Sequence, residues 1–182
     1  HAGDITNAVF LKELETKSVF AVDILINNAG LAAGLAPTVD ALIEDWQQMI
    51  NVNIRAAFLV VKKCLPFMIE KKSGHIINMA SVAGHASYAN GGVYCATKHA
   101  LLAFAKALRS ELCDKNIRVT NISPGMTETE FSLVRFKGDE ERAASVYAGV
   151  DALNGKDIAR QIFFALLQAP HINIDVIYIT PT

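Results

Sequence analysis

The chain has 182 residues, of which 52% are hydrophobic, and a formal net charge of −1 from 17 basic and 18 acidic side chains. This composition favours one folded domain over residues 1–182, and the balanced charge argues against a nucleic-acid partner. No apolar run in the sequence approaches the length of a membrane span. The histidines and the three cysteines lack metal-ligand or disulfide spacing, so we expect a reduced, cytoplasmic protein without a metal site.

Apolar runs alternate with helix-length segments along the chain. We predict strands at residues 22–30, 74–81, 117–125 and 174–180. We predict helices at residues 43–71, 93–115 and 157–168. Strands that are apolar on both faces are typical of a parallel sheet covered by helices on each side, so the fold class is a doubly wound α/β sheet. Pro66 should bend or break the first helix.

Polar and glycine-bearing segments follow three of the predicted strands. They are Asn27-Asn28-Ala29-Gly30, Ser81 and Pro124-Gly125. Because ligands of such sheets bind beyond the carboxyl ends of the strands, these segments predict a lined cleft.

Tyr94 lies four residues before Lys98 in the second predicted helix. This spacing places the phenol and the ammonium group on one face of the helix. A nearby cation favours the phenolate, so we expect Lys98 to lower the pKa of Tyr94 from its ordinary value of about 10. A tyrosine of this kind is suited to exchange a proton with a substrate hydroxyl.

The ordered set of motifs resembles the short-chain dehydrogenase/reductase family, which has a Rossmann-type sheet. The set comprises NNAG at 27–30, NVN ending at Asn53, Ser81 thirteen residues before Tyr94, Tyr94-x-x-x-Lys98, and Pro124-Gly125. A narrower resemblance, at 74–85, 129–139 and 169–182, is to the bacterial NADP-dependent 3-hydroxy acid dehydrogenases, also described as serine or allo-threonine dehydrogenases.

The resemblance implies a catalytic role for four residues. Tyr94 would be the general acid/base, and Lys98 would lower its pKa and hydrogen-bond the nicotinamide ribose. Ser81 would hold the substrate oxygen, and Asn53 would anchor a water in a proton relay.

The resemblance also implies a nicotinamide cofactor, NADP, with NAD as the alternative. The cofactor would be lined by Asp4, Ile5, Asn28, Ala29, Gly30, Tyr94, Lys98, Pro124, Gly125 and Met126. A small hydroxy acid or carbonyl compound would be the substrate, in contact with Ser81 and Tyr94. Arg135 is the favoured partner of a substrate carboxylate, because a guanidinium can bind both oxygens.

The glycine-rich cofactor loop of the family is not found before Asp4. We therefore expect the sequence to omit an upstream portion of about 50 residues, the size of a βαβα unit. Without the first strands of the sheet, the strand at 22–30 would expose a hydrogen-bonding edge.

Three functions remain open at this point. The first is hydride transfer to or from a small hydroxy acid, and the second is a broader carbonyl reductase. The third is a non-catalytic, nucleotide-sensing protein on the same fold, against which the presence of Ser81, Tyr94 and Lys98 argues. Segments 54–61 and 100–108 are apolar around most of the helix circumference, which predicts a homo-oligomer, a dimer or tetramer, with a four-helix interface.

Overall fold

A computed structural model describes residues 2–17 and 19–182. In chain order the strands are β1 (Ile24–Asn27), β2 (Gly74–Met79), β3 (Ile117–Pro124), β4 (Thr127–Glu128), β5 (Leu153–Asn154) and β6 (Val176–Ile179). Four of them form a parallel sheet in the order β1-β2-β3-β6, and β4 pairs with β5 separately. The four strands predicted from the sequence are the four strands of the main sheet, which confirms the predicted fold class.

Seven α-helices surround the strands in the described part of the chain. They are α1 (Ala8–Thr16), α2 (Ile43–Ile50), α3 (Ala57–Lys71), α4 (Gly92–Leu112), α5 (Phe131–Arg135), α6 (Glu140–Ser145) and α7 (Gly155–Leu166). A π-helical turn (Asn51–Ala56) joins α2 to α3, and a 3₁₀ turn (Val82–Gly84) follows β2. None of the helices within residues 2–17 and 19–182 is both long and apolar enough to cross a bilayer.

The prediction that Pro66 bends or breaks the first helix is wrong about a break, because α3 continues through Pro66 to Lys71. Proline removes the N–H that would bond the carbonyl of Lys62. Both residues are exposed, so water can replace the missing donor. The long predicted helix is interrupted instead at Asn51–Ala56, where the backbone widens into a π-helical turn.

Neighbouring residues of β2 face opposite layers of the protein. Ile76 is buried in a core with Val61 of α3 and Leu108 of α4. Ile77 is buried on the other face, in a core with Ile158 of α7. The sheet is therefore covered on both faces, as near-continuous apolar strands require.

β1 forms one edge of the main sheet, because β2 is its only partner among the described residues. The side chains of Ile24 and Ile26 are 47% and 46% exposed. This agrees with the edge expected from the sequence for the strand at 22–30.

Three buried asparagines form a row across the sheet, next to the strand ends. Asn27, Asn78 and Asn121 are aligned by the register of β1, β2 and β3. Asn27 Nδ2 donates to Asn78 Oδ1 at 3.2 Å, and Asn78 Nδ2 donates to Asn121 Oδ1 at 3.4 Å. A one-residue slip would break these buried hydrogen bonds, so the row fixes the relative position of the strand ends.

Candidate active site

The site begins where β2 ends, at Ser81. The Ser81 hydroxyl accepts a hydrogen bond from Ala83 N at 3.1 Å, which caps the 3₁₀ turn. The same hydroxyl donates to the carbonyl of Pro124 at 3.4 Å, at the end of the neighbouring strand β3. Ser81 is half-buried, and its hydroxyl lies close enough to the Tyr94 phenol to lower the pKa of that group.

Tyr94 lies in the first turn of α4 and is only 7% exposed. Burial raises the pKa of Tyr94 to about 12, because a phenolate is poorly solvated there. Hydrogen bonding to Ser81 and the charge of Arg135 favour the phenolate, whereas Tyr88 and Cys95 oppose it. The phenol is therefore protonated at neutral pH.

Lys98 lies one turn further along α4 and is 6% exposed. Its Nζ donates to the carbonyl of Met79 at 2.8 Å and lies 5.8 Å from the Tyr94 ring centroid. Burial lowers the pKa of Lys98 to about 8. A Cβ on Gly84 would lie 2.9 Å from the Lys98 carbonyl oxygen, so this glycine lets the turn after β2 pack directly on the helix.

The expectation that Lys98 lowers the pKa of Tyr94 is wrong for this structure. The Lys98 ammonium group is turned toward the carbonyl of Met79, and burial disfavours the charged form of both side chains. The cation that does favour the Tyr94 phenolate is Arg135 of α5, whose Cζ lies 5.2 Å from the ring centroid. Sequence spacing correctly placed Lys98 beside Tyr94, but it could not reveal the balance between charge and burial.

Asn53 is 2% exposed and lies in the π-helical turn. Its Oδ1 accepts from Leu31 N at 2.9 Å, and its Nδ2 donates to Leu31 O at 2.7 Å and to Thr97 Oγ1 at 3.1 Å. The side chain therefore joins the segment after β1 to α4. Both amide protons are used by protein partners, and the expected role in a water relay stays a prediction.

Thr97 belongs to this network although the sequence analysis missed it. Its hydroxyl donates to the carbonyl of Tyr94 at 2.7 Å and accepts from Asn53. Thr97 is fully buried within α4, directly before Lys98. Its position between Tyr94 and Lys98 was the available signal in the sequence. The role of a threonine within a helix, however, becomes clear only from its hydrogen-bond partners in the folded structure.

Besides Tyr94 and Lys98 of α4, the predicted cofactor residues form two groups. One group lies at the ends of β1 and β3 and comprises Asn28, Ala29, Gly30, Pro124, Gly125 and Met126. A Cβ on Gly30 would lie 3.3 Å from Asn53 Oδ1 and 3.4 Å from Lys98 Nζ, so glycine keeps this approach open.

The second group surrounds Asp4. Asp4 and Leu31 line a cavity of about 670 Å³ with Gln47 and Asn51. The backbone N–H and the hydroxyl of Thr6 donate to Asp4 Oδ1, and these hydrogen bonds lower the pKa of the carboxyl group. The neighbouring Ile5 is half-buried and does not line the cavity.

A second cavity, of about 360 Å³, lies beside Tyr94 and is bordered by Trp46 and Arg135. The segment that follows β4 borders this cavity and is joined to the opposite wall by two contacts. Gly34 N donates to the Arg135 carbonyl at 2.9 Å, and Lys137 pairs with Asp45 of α2 at 2.9 Å. The structure thus brings the predicted substrate residue Arg135 to the predicted catalytic residue Tyr94.

Comparison with known proteins identifies relatives over most of the chain. The sequence model of the family described as short chain dehydrogenase matches residues 3–139. A serine 3-dehydrogenase of Rhizobium radiobacter is 46% identical over 160 residues, which are 88% of this chain and 64% of that protein. The NADP-dependent 3-hydroxy acid dehydrogenase YdfG of Salmonella typhi is 43% identical over 161 residues, 88% of this chain and 65% of that protein.

The solved structure of a serine dehydrogenase, described as a closed form complexed with NADP+, superimposes with a TM-score of 0.93. The match has 38% sequence identity and covers 97% of this chain and 73% of that one. The matched part of this chain spans just under two thirds of the length of the two curated relatives. The family match, the parallel sheet and the ordered Ser81, Tyr94 and Lys98 agree, and the chain belongs to the short-chain dehydrogenase family.

Proposed function

We propose that this chain carries the catalytic residues of an NADP-dependent dehydrogenase that acts on a small 3-hydroxy acid such as serine or allo-threonine. The observation that carries the proposal is that Tyr94 and Arg135 border one cavity, with the Ser81 hydroxyl close to the Tyr94 phenol. A proton-exchanging phenol and a carboxylate-binding cation side by side suit a substrate that has both a hydroxyl and a carboxylate. The names of the relatives support NADP as the cofactor.

The residues present are suited to such a cofactor. The segment Asn28–Gly30 is exposed and ends in two small residues, so it leaves room for a cofactor at the end of β1. Lys98 Nζ lies next to Gly30. The Asp4 carboxylate borders the larger cavity and is ionised at neutral pH, so it can accept a hydrogen bond from the amino group of an adenine ring. Bound NADP would accept a hydride from the substrate carbon or, once reduced, return it.

Tyr94 handles the proton in both directions. In reduction, the protonated phenol donates its proton to the substrate oxygen, and the pKa of about 12 keeps this proton in place at neutral pH. In oxidation, the phenolate removes the hydroxyl proton, so the rate should rise as the pH rises. Ser81 holds the substrate oxygen at the same point, because its hydroxyl can donate or accept.

A comparison of two substrates, together with a measurement of NADP binding, separates this proposal from the alternatives. Initial rates of the intact enzyme with NADP+ would be compared for a 3-hydroxy acid and its methyl ester. The proposal expects kcat/KM to favour the acid. A broader carbonyl reductase would use the ester equally well, and a nucleotide-sensing protein would turn over neither compound while still binding NADP.

Arg135→Met should raise KM for 3-hydroxy acids about tenfold or more, with little effect on neutral alcohols. The physical reason is the loss of a charge-assisted hydrogen bond to the carboxylate, worth about 1.5–3 kcal/mol. Steady-state kinetics with the acid and its methyl ester check this result. The exposed Arg160 of α7 provides a matched control, since Arg160→Met removes a cation far along the chain from the site. An equal loss for both substrates would assign Arg135 a purely structural role.

We also propose that the protein is a homo-oligomer that buries the outer face of α4. Phe58 of α3 stacks on Phe104 of α4 with ring centroids 3.9 Å apart, so part of the predicted apolar surplus is used within the chain. Ala103 and Ala107 remain exposed on α4. Such small side chains let a second helix approach closely and support a two-fold helical interface.

Ala107→Asp should split this assembly or make the protein insoluble, because a carboxylate would be buried without a partner. Light scattering compares the masses of the wild type and the variant. The same measurement on Ser110→Asp, a change at another exposed position of α4, shows whether the interface extends to that position. A wild-type protein that is a stable monomer at micromolar concentration would refute the proposal.

A further inference from the structure

The guanidinium group of Arg135 is held between aromatic rings. Its Cζ lies 5.2 Å from the ring centroid of Tyr94, 5.5 Å from that of Phe131 and 5.7 Å from that of Tyr88. Nη2 donates a hydrogen bond to the Tyr88 hydroxyl. Nε is buried and has no hydrogen-bond partner among the described residues. One end of the guanidinium is therefore fixed by the protein. The other terminal nitrogen, Nη1, makes no hydrogen bond to the described residues, and Arg135 borders the cavity.

The position of Tyr88 is fixed by the turn that leads into α4. A Cβ on Gly91 would lie 2.0 Å from a carbon of the Tyr88 ring, so the ring lies directly against this glycine. Gly91 N donates to the Tyr88 carbonyl at 3.3 Å, and Asn90 between them has a left-handed φ of 66°. Gly91 is also the residue before α4 begins. The Tyr88 hydroxyl is thereby tied to the helix that carries Tyr94.

We propose that Tyr88 is a positioning residue that orients Arg135 toward the substrate carboxylate and so sets the preference for acids over neutral alcohols. The proposal rests on the proposed function, in which Arg135 binds that carboxylate. A free arginine side chain samples many rotamers and loses this freedom when it binds. A hydrogen bond and three rings that restrict it in advance reduce this loss, which strengthens binding of the substrate without changing the chemical step.

Tyr88→Phe tests the proposal, because it removes the hydroxyl and keeps the ring against Gly91. We expect KM for a 3-hydroxy acid to rise about tenfold, the effect of losing one hydrogen bond to a charged group. We expect kcat to change less than about twofold, and the kinetics with the methyl ester to stay unchanged. Tyr178→Phe is the matched control, since it removes a hydroxyl from a tyrosine that is also exposed, in β6. Gly91→Ala should reproduce the Tyr88→Phe phenotype by displacing the ring.

The outcomes separate this inference from the function on which it rests. If Arg135→Met raises KM for the acid and Tyr88→Phe does not, the role of Tyr88 is refuted and the carboxylate site stands. If Tyr88→Phe raises KM equally for the acid and the ester, Tyr88 shapes the fold of the site and the inference is also refuted. If Arg135→Met itself leaves KM for the acid unchanged, both the carboxylate site and the role of Tyr88 fall.

Discussion

Tyr94→Phe should lower the turnover of the enzyme at least about a hundredfold, the usual scale of a general acid/base contribution. The change removes the only proton that the side chain exchanges and retains the ring, which packs 5.6 Å from the ring of Phe131. The binding of NADP and the thermal unfolding temperature should change little, because the aromatic ring and its packing against Phe131 are retained. Steady-state turnover with a 3-hydroxy acid, together with NADPH fluorescence for binding, checks both expectations.

Tyr147→Phe is the matched control for this variant. The Tyr147 hydroxyl bonds the Ser132 hydroxyl at 2.8 Å and the Thr127 carbonyl at 3.2 Å, between the segments that follow β3. Its loss should weaken the fold by about 1 kcal/mol without the hundredfold loss of turnover. Near-normal turnover in Tyr94→Phe would remove Tyr94 from the mechanism.

Lys98→Met should stabilise the fold at neutral pH. The folded pKa of Lys98 is lowered from 10.5 to about 8, so the unfolded chain holds this proton more tightly than the folded one. The stability contribution of neutral Lys98 is therefore present above pH 10.5 and is lost as the pH falls through about 8. At pH 7 the Lys98 ammonium group is both charged and buried, which lowers the free energy of unfolding by about 3 kcal/mol.

The methionine removes this destabilisation. It also leaves the carbonyl of Met79 without its hydrogen-bond donor, which lowers the free energy of unfolding by about 1 kcal/mol. We expect a net gain of about 2 kcal/mol in the free energy of unfolding at pH 7, and a gain that disappears as the pH approaches 10.5. Urea unfolding at the two pH values measures the difference. Lys106→Met, at an exposed position of the same helix, should show no such pH dependence. A variant that is less stable than the wild type at pH 7 would contradict the assignment.

The sequence was most informative where a pattern is local. The four buried strands were predictable because apolar runs of that length, bounded by Gly, Asn and Pro, have few alternatives. The placement of Ser81 at a strand end, and of Tyr94 and Lys98 one turn apart in a single helix, was predictable for the same reason. The catalytic roles of these residues and the cofactor role of Asn28, Ala29 and Gly30 come from the family resemblance and stay predictions.

The rest of the site depends on contacts between distant segments. Thr97 acquires its role only when α4 meets Asn53, 44 residues earlier. Tyr88 acquires its role only when α5 brings Arg135 to it, 47 residues later. The direction of the Tyr94 pKa was mispredicted because burial, which depends on the whole fold, raises it, and the cation that opposes this effect is Arg135 of α5. Pro66 lies within its helix at an exposed position next to exposed Lys62, and this exposure is again a tertiary property.

The measurement that tests the account most directly is the pH dependence of single-turnover hydride transfer in the intact enzyme, followed in both directions by NADPH absorbance. With Tyr94 as the proton-exchanging group, oxidation of the 3-hydroxy acid should accelerate as the pH rises, and reduction of the corresponding keto acid should slow as the pH approaches the pKa of the phenol. Tyr94→Phe should be at least about a hundredfold slower and should lose both dependences. A Tyr94→Phe enzyme that follows the wild-type curves in rate and shape would contradict the account.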